Sequence, residues 1–151
     1  MNLELRTIDN ANKDAVELLE VSDYQKQYIA SNKQSLETAA NEEYREIARP
    51  FAIYADGTII GFTMFAFELT SSDPNDRYWL WRFMIDKNWQ GNGYGSVALE
   101  KIIDCFKSHG ADHILLSTKK SNAAALSLYH KYRFMETGET NEGEIVLRLN
   151  L

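Results

Sequence analysis

The stretch Gln90-Gly91-Asn92-Gly93-Tyr94-Gly95 lies between a strand-like segment, Tyr78 to Asp86, and a helix-like segment that ends near Ser108. We call residues 90–95 the glycine loop. Glycines let a backbone turn with its N–H groups pointing inward, and the N-terminus of a following helix adds partial positive charge. The order of strand, loop and helix therefore predicts a binding site for a phosphate group.

Two other phosphate-binding motifs fit this loop poorly. A P-loop ends in Gly-Lys-Ser or Gly-Lys-Thr, whereas this chain has Gly95-Ser96-Val97. A dinucleotide fingerprint needs glycine at its sixth position, which here is Ser96, and an acid after the next strand, where Thr118-Lys119-Lys120 stands. A glycine-rich loop that only turns the chain stays open as an explanation.

Composition and charge are those of an ordinary globular chain. Its 151 residues are 44% hydrophobic and 25% charged, which predicts one domain over residues 1–151. The net charge of −6 supplies no basic surface for a nucleic-acid partner and attracts cationic partners, although it also serves solubility. No apolar run approaches the ~18 residues of a membrane span, and one cysteine, Cys105, fits a reducing compartment. We therefore expect a cytoplasmic protein with no membrane partner.

Hydrophobic periodicity predicts a mixed α/β order of strand, two helices, three strands, helix, strand, helix and two strands. Asp56-Gly57 is typical of a hairpin turn, and Ser35 with Glu37 predicts the start of the second helix. The predicted strands are Leu3 to Ile8, Phe51 to Tyr54, Thr58 to Phe67, Tyr78 to Asp86, His113 to Thr118, Phe134 to Met135 and Glu144 to Leu149. The predicted helices are Asn12 to Val21, Ser35 to Glu46, one from the glycine loop to Ser108, and one that Asn122 opens.

Two motifs resemble the cofactor site of the GNAT acetyltransferase superfamily. The glycine loop resembles the Gln/Arg-x-x-Gly-x-Gly/Ala signature, and Arg82-Phe83-Met84-Ile85-Asp86 resembles the strand before it. Asn122-x-x-Ala125-x-x-Leu128-Tyr129-x-Lys131-x-x-Phe134 resembles the second half of that site, with Arg133 where the family usually has glycine. Softer patterns resemble bacterial spermine/spermidine acetyltransferases: Tyr28-Ile29-x-Ser31, Ser35-Leu36-Glu37-x-Ala39, Arg49-Pro50 and Trp79-Leu80-x-Arg82.

The resemblance implies a mixed, mostly antiparallel central sheet that is splayed open at the strand Tyr78 to Asp86 and flanked by helices. Acetyl-CoA, as co-substrate, would lie between that strand and His113 to Thr118, with its pantetheine arm paired to the strand backbone. A backbone N–H near Ile85 would stabilise the developing oxyanion. The residues implied to bind the cofactor are Phe83, Met84, Ile85, Gln90, Gly91, Asn92, Gly93, Tyr94, Gly95, Ser96, Asn122, Ser127 and Lys131. A helix cap would equally explain Asn122, and a position on an exposed helix face would equally explain Ser127 and Lys131.

The resemblance also implies the groups that move protons. In the family, the tyrosine at the position of Tyr129 donates a proton to the departing CoA thiolate, although packing would also explain a tyrosine on that helical face. The acceptor amine must lose a proton first, and with a pKa of ~10.4 its neutral form costs ~4.6 kcal/mol at pH 7. Related polyamine enzymes often have an acid where Trp81 stands. Glu68 and a chain of water molecules are the remaining candidate bases.

The implied partner is a small-molecule amine, and the softer patterns favour a polyamine such as spermidine or spermine. A polyamine needs carboxylates for its ammonium groups and aromatic surface for its methylenes. The candidate substrate-binding residues are Tyr28, Glu37, Trp79 and Trp81, with further acids at Glu42, Glu43, Glu46, Asp73 and Asp76.

Other functions stay open at this point. The acceptor could be an aminoglycoside, an amino acid or a protein N-terminus, and the chain could be a non-catalytic acyl-CoA sensor or a dehydrogenase. The three histidines show no metal-ligand spacing, so we expect no metal site. Because homodimers are frequent in the superfamily, we expect a homodimer.

Overall fold

The computed structural model describes residues 2–151, which form seven strands and four helices joined by short turns. The strands are β1 (Leu3–Thr7), β2 (Ala48–Ala55), β3 (Thr58–Phe67), β4 (Tyr78–Ile85), β5 (His113–Thr118), β6 (Met135–Asn141) and β7 (Glu144–Asn150). The helices are α1 (Lys13–Leu18), α2 (Asn32–Ala40), α3 (Tyr94–Ser108) and α4 (Ala123–Lys131).

The strands form one sheet in the order β1-β2-β3-β4-β5-β7-β6. Every neighbouring pair is antiparallel except β4 and β5, which are parallel. Apolar residues of α1 and α2 pack on one face of the sheet, and those of α3 and α4 pack on the other. The predicted fold, a mostly antiparallel sheet flanked by helices, is confirmed.

The sheet opens between its two parallel strands. β4 and β5 pair only at Trp79 and Leu115, whereas β5 pairs with β7 along its whole length. A β-bulge at Trp81 interrupts the register of β4 with β3 directly after this single pair. Since a bulge bends the strand that carries it, β4 turns away from β5 here. The splayed sheet that the resemblance implied is therefore present.

Two apolar clusters hold the walls of this opening in place. Phe62 and Met64 of β3 pack with α1 and α2, and both are fully buried. Phe65, Phe106 and Phe134 are fully buried on the other face, where α3 packs. Burying one such side chain contributes ~1.5–3 kcal/mol, so this packing stabilises both walls.

Several helix and strand boundaries differ from the predicted ones. The second helix begins three residues before Ser35, because Ser31 and Gln34 form a reciprocal capping box. It ends at Ala40, since Asn41 accepts a hydrogen bond from the Tyr44 N–H (3.0 Å) and starts a separate turn. The first helix is also shorter than predicted, and β6 continues to Asn141, beyond the predicted strand Phe134 to Met135. Within residues 2–151, no helix is both long and apolar enough to cross a membrane.

Candidate active site

A cleft of about 1130 Å³ lies where β4 and β5 separate. It extends from the glycine loop to the turn between β6 and β7, and the segment between α1 and α2 forms part of its wall. The residues that line it include Gln25, Tyr28, Tyr44, Glu68, Asp76, Trp79, Trp81, Arg82, Phe83, Met84, Ile85, Gln90, Gly95, Ser117, Lys119, Asn122, Tyr129, Glu139, Glu142 and Glu144.

The backbone of β4 offers hydrogen-bonding groups to this cleft. The Asp86 N–H donates to the Ile60 carbonyl (2.7 Å) on the β3 side, and a Cβ at Gly61 would lie 2.5 Å from the Met84 carbonyl oxygen. Residues 84 and 86 therefore face β3. Backbone groups alternate between the two edges of a strand, so those of Phe83 and Ile85 face the cleft. An extended chain placed there would add a strand to β4.

The glycine loop presents backbone N–H groups at the other end of the cleft. Gly91 and Gly93 have φ values of 80° and 83°, which glycine adopts without a Cβ penalty. α3 begins at Tyr94, and no side chain caps it among the residues described. The N–H groups of its first turn have no partner within the helix, and the helix dipole makes this end positive. An anion such as a pyrophosphate fits this position.

Gln90 connects the glycine loop to both walls beside it. Its Nε2 donates to the Ile85 carbonyl oxygen (2.8 Å) and to Gln25 Oε1 (3.0 Å). Both hydrogens of the amide are therefore used, which fixes the side chain at the end of β4.

Tyr129 lies on α4 where the two walls meet. Its ring packs against Phe134 with 5.5 Å between centroids, and part of the side chain still reaches the cleft. Burial raises the pKa of the Tyr129 phenol well above its usual value. The phenol is therefore protonated at neutral pH and can act as a proton donor.

The end of the cleft away from the glycine loop is acidic. Glu68, Asp76, Glu139, Glu142 and Glu144 line it, and we call them the acidic end. Burial, with a smaller contribution from the nearby Asp76 carboxylate, raises the pKa of Glu68. Asp76 accepts a hydrogen bond from Trp79 Nε1 (3.0 Å), and Glu144 accepts one from Ser117 Oγ (2.9 Å). A cation placed here would relieve the repulsion among these carboxylates.

Aromatic rings border the acidic end. Tyr44 packs edge-on against Trp81, with 5.1 Å between ring centroids. The guanidinium of Arg82 lies 5.0 Å from the Trp81 ring, and it donates hydrogen bonds to the Trp81 carbonyl (3.0 Å) and to Ser35 Oγ (3.3 Å). Burial still lowers the pKa of Arg82. The bulged residue, Trp81, is thus contacted by Tyr44 at its ring and by the Arg82 side chain at its carbonyl.

Most residues predicted for the site lie around the cleft. Tyr129, Glu68, Phe83, Met84, Ile85, Gln90, Gly95, Asn122, Tyr28, Trp79 and Trp81 line it, and Gly91, Asn92, Gly93, Tyr94 and Ser96 form the turn and first helical residues at its end. Asn122 Oδ1 caps α4 through the Ala125 N–H (3.4 Å). Ser127 and Lys131 are exposed on α4, and Glu37 is exposed on α2, so these three do not line the cleft.

Of the acidic residues predicted to meet an amine, Asp76 lines the cleft, whereas those assigned to the second helix do not. Glu42, Glu43, Glu46 and Asp73 are exposed and do not line the cleft, and the first three follow the end of α2. Glu139, Glu142 and Glu144 do line it, and were missed. The run Glu139-Thr140-Asn141-Glu142-Gly143-Glu144 signals an acidic turn, but only the pairing of β7 with β5 brings it to the cleft.

A match to a family model identifies the protein family of this chain. Residues 5–134 match the model of the acetyltransferase (GNAT) family. The chain belongs to that family. The matched range includes β4, the glycine loop and Tyr129, so the resemblance predicted from the motifs is confirmed. As a GNAT acetyltransferase, the protein is an enzyme that transfers an acetyl group to nitrogen.

Two relatives match this acetyltransferase over nearly its whole length. It is 33% identical over 151 residues to a probable spermine N(1)-acetyltransferase of Bacillus subtilis subsp. natto (strain BEST195). It is 32% identical over 151 residues to the spermine/spermidine N(1)-acetyltransferase of Bacillus subtilis (strain 168). Each match covers 97% of this chain and 97% of the relative.

Solved structures share the fold of this acetyltransferase at lower identity. The PaiA N-acetyltransferase of Thermoplasma acidophilum, solved in complex with coenzyme A, has a TM-score of 0.74 at 16% identity and covers 100% of both chains. The ribosomal-protein-S18-alanine N-acetyltransferase of Escherichia coli has a TM-score of 0.70 at 20% identity, covering 99% of this chain and 94% of its own.

Proposed function

We propose that this GNAT acetyltransferase moves the acetyl group of acetyl-CoA to a primary amine of a polyamine, with spermidine and spermine as its preferred acceptors. The observation that carries the proposal is one continuous cleft that joins an anion-binding helix start to an acidic, aromatic end. The names of the two Bacillus relatives support the same class of acceptor.

The residues around the glycine loop fit acetyl-CoA. A Cβ placed on Gly91 or Gly93 would meet no atom within 4 Å, so the surface of the loop is open to an approaching ligand. The backbone groups of Phe83 and Ile85 would pair with the pantetheine arm as a further strand would. Acetyl-CoA supplies the activated acetyl group, and the coenzyme A complex of the Thermoplasma relative supports it as co-substrate.

Two groups of the chain would act on the thioester during transfer. The Ile85 N–H faces the cleft and would donate to the carbonyl oxygen as negative charge develops there. Tyr129 would give its phenol proton to the sulfur as the carbon–sulfur bond breaks. Because burial raises the pKa of Tyr129, the phenol keeps its proton at neutral pH and has a hydrogen to donate to the departing sulfur.

The acidic end would hold the acceptor. A polyamine carries several ammonium groups joined by methylene chains, so it needs alternating carboxylate and apolar surface. Glu68, Glu142 and Glu144 supply carboxylates, while Tyr44 and Trp81 supply rings against which methylenes and ammonium groups pack. An uncharged or anionic acceptor would leave these carboxylates without a cationic partner.

Glu68 would remove the proton from the attacking amine, directly or through water. It follows β3 at the acidic end, and the raised pKa of its carboxyl makes it a stronger base than an ordinary glutamate. Because a tryptophan, Trp81, stands where related polyamine enzymes often have an acid, the proton of the amine would pass to Glu68 instead.

The test measures release of the CoA thiol with acetyl-CoA and spermidine, spermine, putrescine or unrelated amines, for the parent protein and for Tyr129→Phe. We expect turnover with spermidine and spermine and a ~100- to 1,000-fold lower kcat in the variant, because a positioned acid contributes about this factor. Acetyl-CoA affinity should change little. Tyr132→Phe is the matched control, since the Tyr132 hydroxyl donates to Glu100 (2.8 Å) instead of facing the cleft.

Each of the other outcomes points elsewhere. Acetyl-CoA binding without turnover on any amine contradicts the proposal and favours an acyl-CoA sensor. Turnover on a peptide N-terminus but not on polyamines keeps the chemistry and overturns the acceptor. Equal losses of kcat in the Tyr129 and Tyr132 variants would contradict the proposal that Tyr129 donates the proton.

A further inference from the structure

The segment between α1 and α2 crosses the opening of the cleft. We call residues 22–30 the strap. It contains a short helical turn, Gln25–Gln27, and several of its residues line the cleft, including Gln25, Tyr28 and Ile29. Because β4 and β5 form opposite walls, a segment attached to both of them would restrict entry to the space between them.

The first attachment of the strap is to the β4 wall. Gln25 Oε1 accepts a hydrogen bond from Gln90 Nε2 (3.0 Å), and this same amide donates to the Ile85 carbonyl oxygen (2.8 Å). Just before the strap, the Glu20 N–H donates to Asp86 Oδ1 (3.0 Å) and the Glu20 carbonyl accepts from the Lys87 N–H (2.9 Å). This end of the strap is therefore fixed beside the glycine loop by several partly buried bonds.

The second attachment is to the β5 wall and depends on one side chain. Tyr28 Oη lies 3.2 Å from the carbonyl oxygen of Ser121 and 3.3 Å from its Oγ, across 93 positions of sequence. A phenol has one proton, so it donates to one oxygen and accepts from the Ser121 hydroxyl. This hydrogen bond from Ser121 lowers the pKa of Tyr28. Ser121 directly precedes Asn122, the residue that caps α4.

The two attachments differ in strength. The Gln25 end is partly buried and shares its bonds with the backbone, whereas the Tyr28 bond to Ser121 is exposed to water. Water competes with an exposed hydrogen bond, so this bond opens more readily than the other. The strap thus has a fixed end at the glycine loop and an end that can release from Ser121.

We propose that Tyr28 is a positioning residue that gates the cleft, its hydroxyl closing the strap onto Ser121 over the space that acetyl-CoA occupies. This inference rests on the proposed function, because it takes the acetyl-CoA arm to lie between β4 and β5. The sequence pattern assigned Tyr28 to direct contact with the acceptor, whereas the structure commits its hydroxyl to the opposite wall.

A gate and a direct contact have different kinetic signatures. A bond that is closed both before and after binding slows entry and exit alike, so its loss accelerates both and leaves the equilibrium affinity unchanged. A direct contact with the ligand, once lost, accelerates only dissociation. The two rate constants together therefore identify the role of Tyr28.

The experiment measures acetyl-CoA association and dissociation by stopped-flow fluorescence for the parent protein, Tyr28→Phe and Tyr24→Phe. In Tyr28→Phe we expect both rate constants to rise about threefold to tenfold, the range for one hydrogen bond, with Kd changed less than twofold. Tyr24→Phe is the matched control because its hydroxyl reaches Tyr28 (3.3 Å) but not Ser121, and its side chain is exposed. Its rates should stay within twofold of the parent.

If only the dissociation rate of acetyl-CoA rises in Tyr28→Phe, the proposed gate is wrong and Tyr28 contacts the ligand directly. Unchanged rates in Tyr28→Phe would overturn any role for the bond. Amide hydrogen exchange of residues 22–30 in the protein alone needs no cofactor, and Tyr28→Phe should accelerate it. If acetyl-CoA does not bind to the parent protein, the proposed function fails, while faster exchange would still support the attachment of the strap to Ser121.

Discussion

At the scale of single residues, the carboxyl of Glu68 shows how its surroundings set its chemistry. Burial raises its pKa above the ordinary value of 4.5, and the negative charge of Asp76 raises it further. A base must be ionised, so we expect kcat/KM for spermidine to rise with pH through this raised pKa. Glu68→Gln should lower kcat/KM about 100-fold to 1,000-fold. Asp76→Asn keeps an oxygen for Trp79 Nε1 but removes the charge, and should move the acidic limb of the profile to lower pH.

The same shift in the pKa of Glu68 has a consequence for folding. A carboxyl whose pKa is raised in the folded state binds its proton more tightly there, so ionising it disfavours the fold. Glu68→Gln should therefore raise the midpoint of thermal unfolding at pH 7, and this gain should vanish as pH falls below the unfolded pKa. A variant that is inactive but no more stable at pH 7 would contradict the burial of Glu68, and one that is more stable but fully active would contradict its role as base.

At the scale of elements, the sequence predicted those helices, strands and turns that depend on residues close together in the chain. The glycine loop with α3, the hairpin of β2 and β3 and the strand β5 all follow from residues close together in the chain. The start of α2 also has a local signal, the Ser31 to Gln34 capping box, which Ser35 obscured. The approach of Glu142 to the cleft could not be predicted, because it depends on β7 pairing with β5 across about 30 residues of intervening chain.

The end of α4 carries a strained residue that can be tested by substitution. Arg133 has a φ of 72°, and the helix closes around it through the Phe134 N–H, which donates to the Tyr129 carbonyl (3.0 Å). A side chain in this left-handed region costs ~1–2 kcal/mol, and glycine avoids that cost but is more flexible when unfolded. Arg133→Gly should raise the free energy of unfolding by ~0.5–1 kcal/mol in urea titrations.

Arg133→Ala separates the backbone from the side chain at this position. Alanine keeps a Cβ and its strain, so this variant should gain no stability. An equal gain in both variants would mean that the arginine side chain, not the backbone conformation, disfavours the fold.

At the scale of the whole molecule, the net charge of −6 and the acidic end would act together on the cationic acceptor that we propose. Salt screens such attraction, since the Debye length falls from ~30 Å at 0.01 M to ~3 Å at 1 M. With acetyl-CoA kept saturating, we expect the KM for spermine to rise about threefold to tenfold over this range, and the KM for a monoamine less than twofold, because spermine brings more ammonium groups to the carboxylates. Glu142→Gln should reduce the salt dependence for spermine and leave that for the monoamine unchanged. Equal salt dependence for both acceptors would mean that the general charge of the surface, and not the acidic end, attracts the amine.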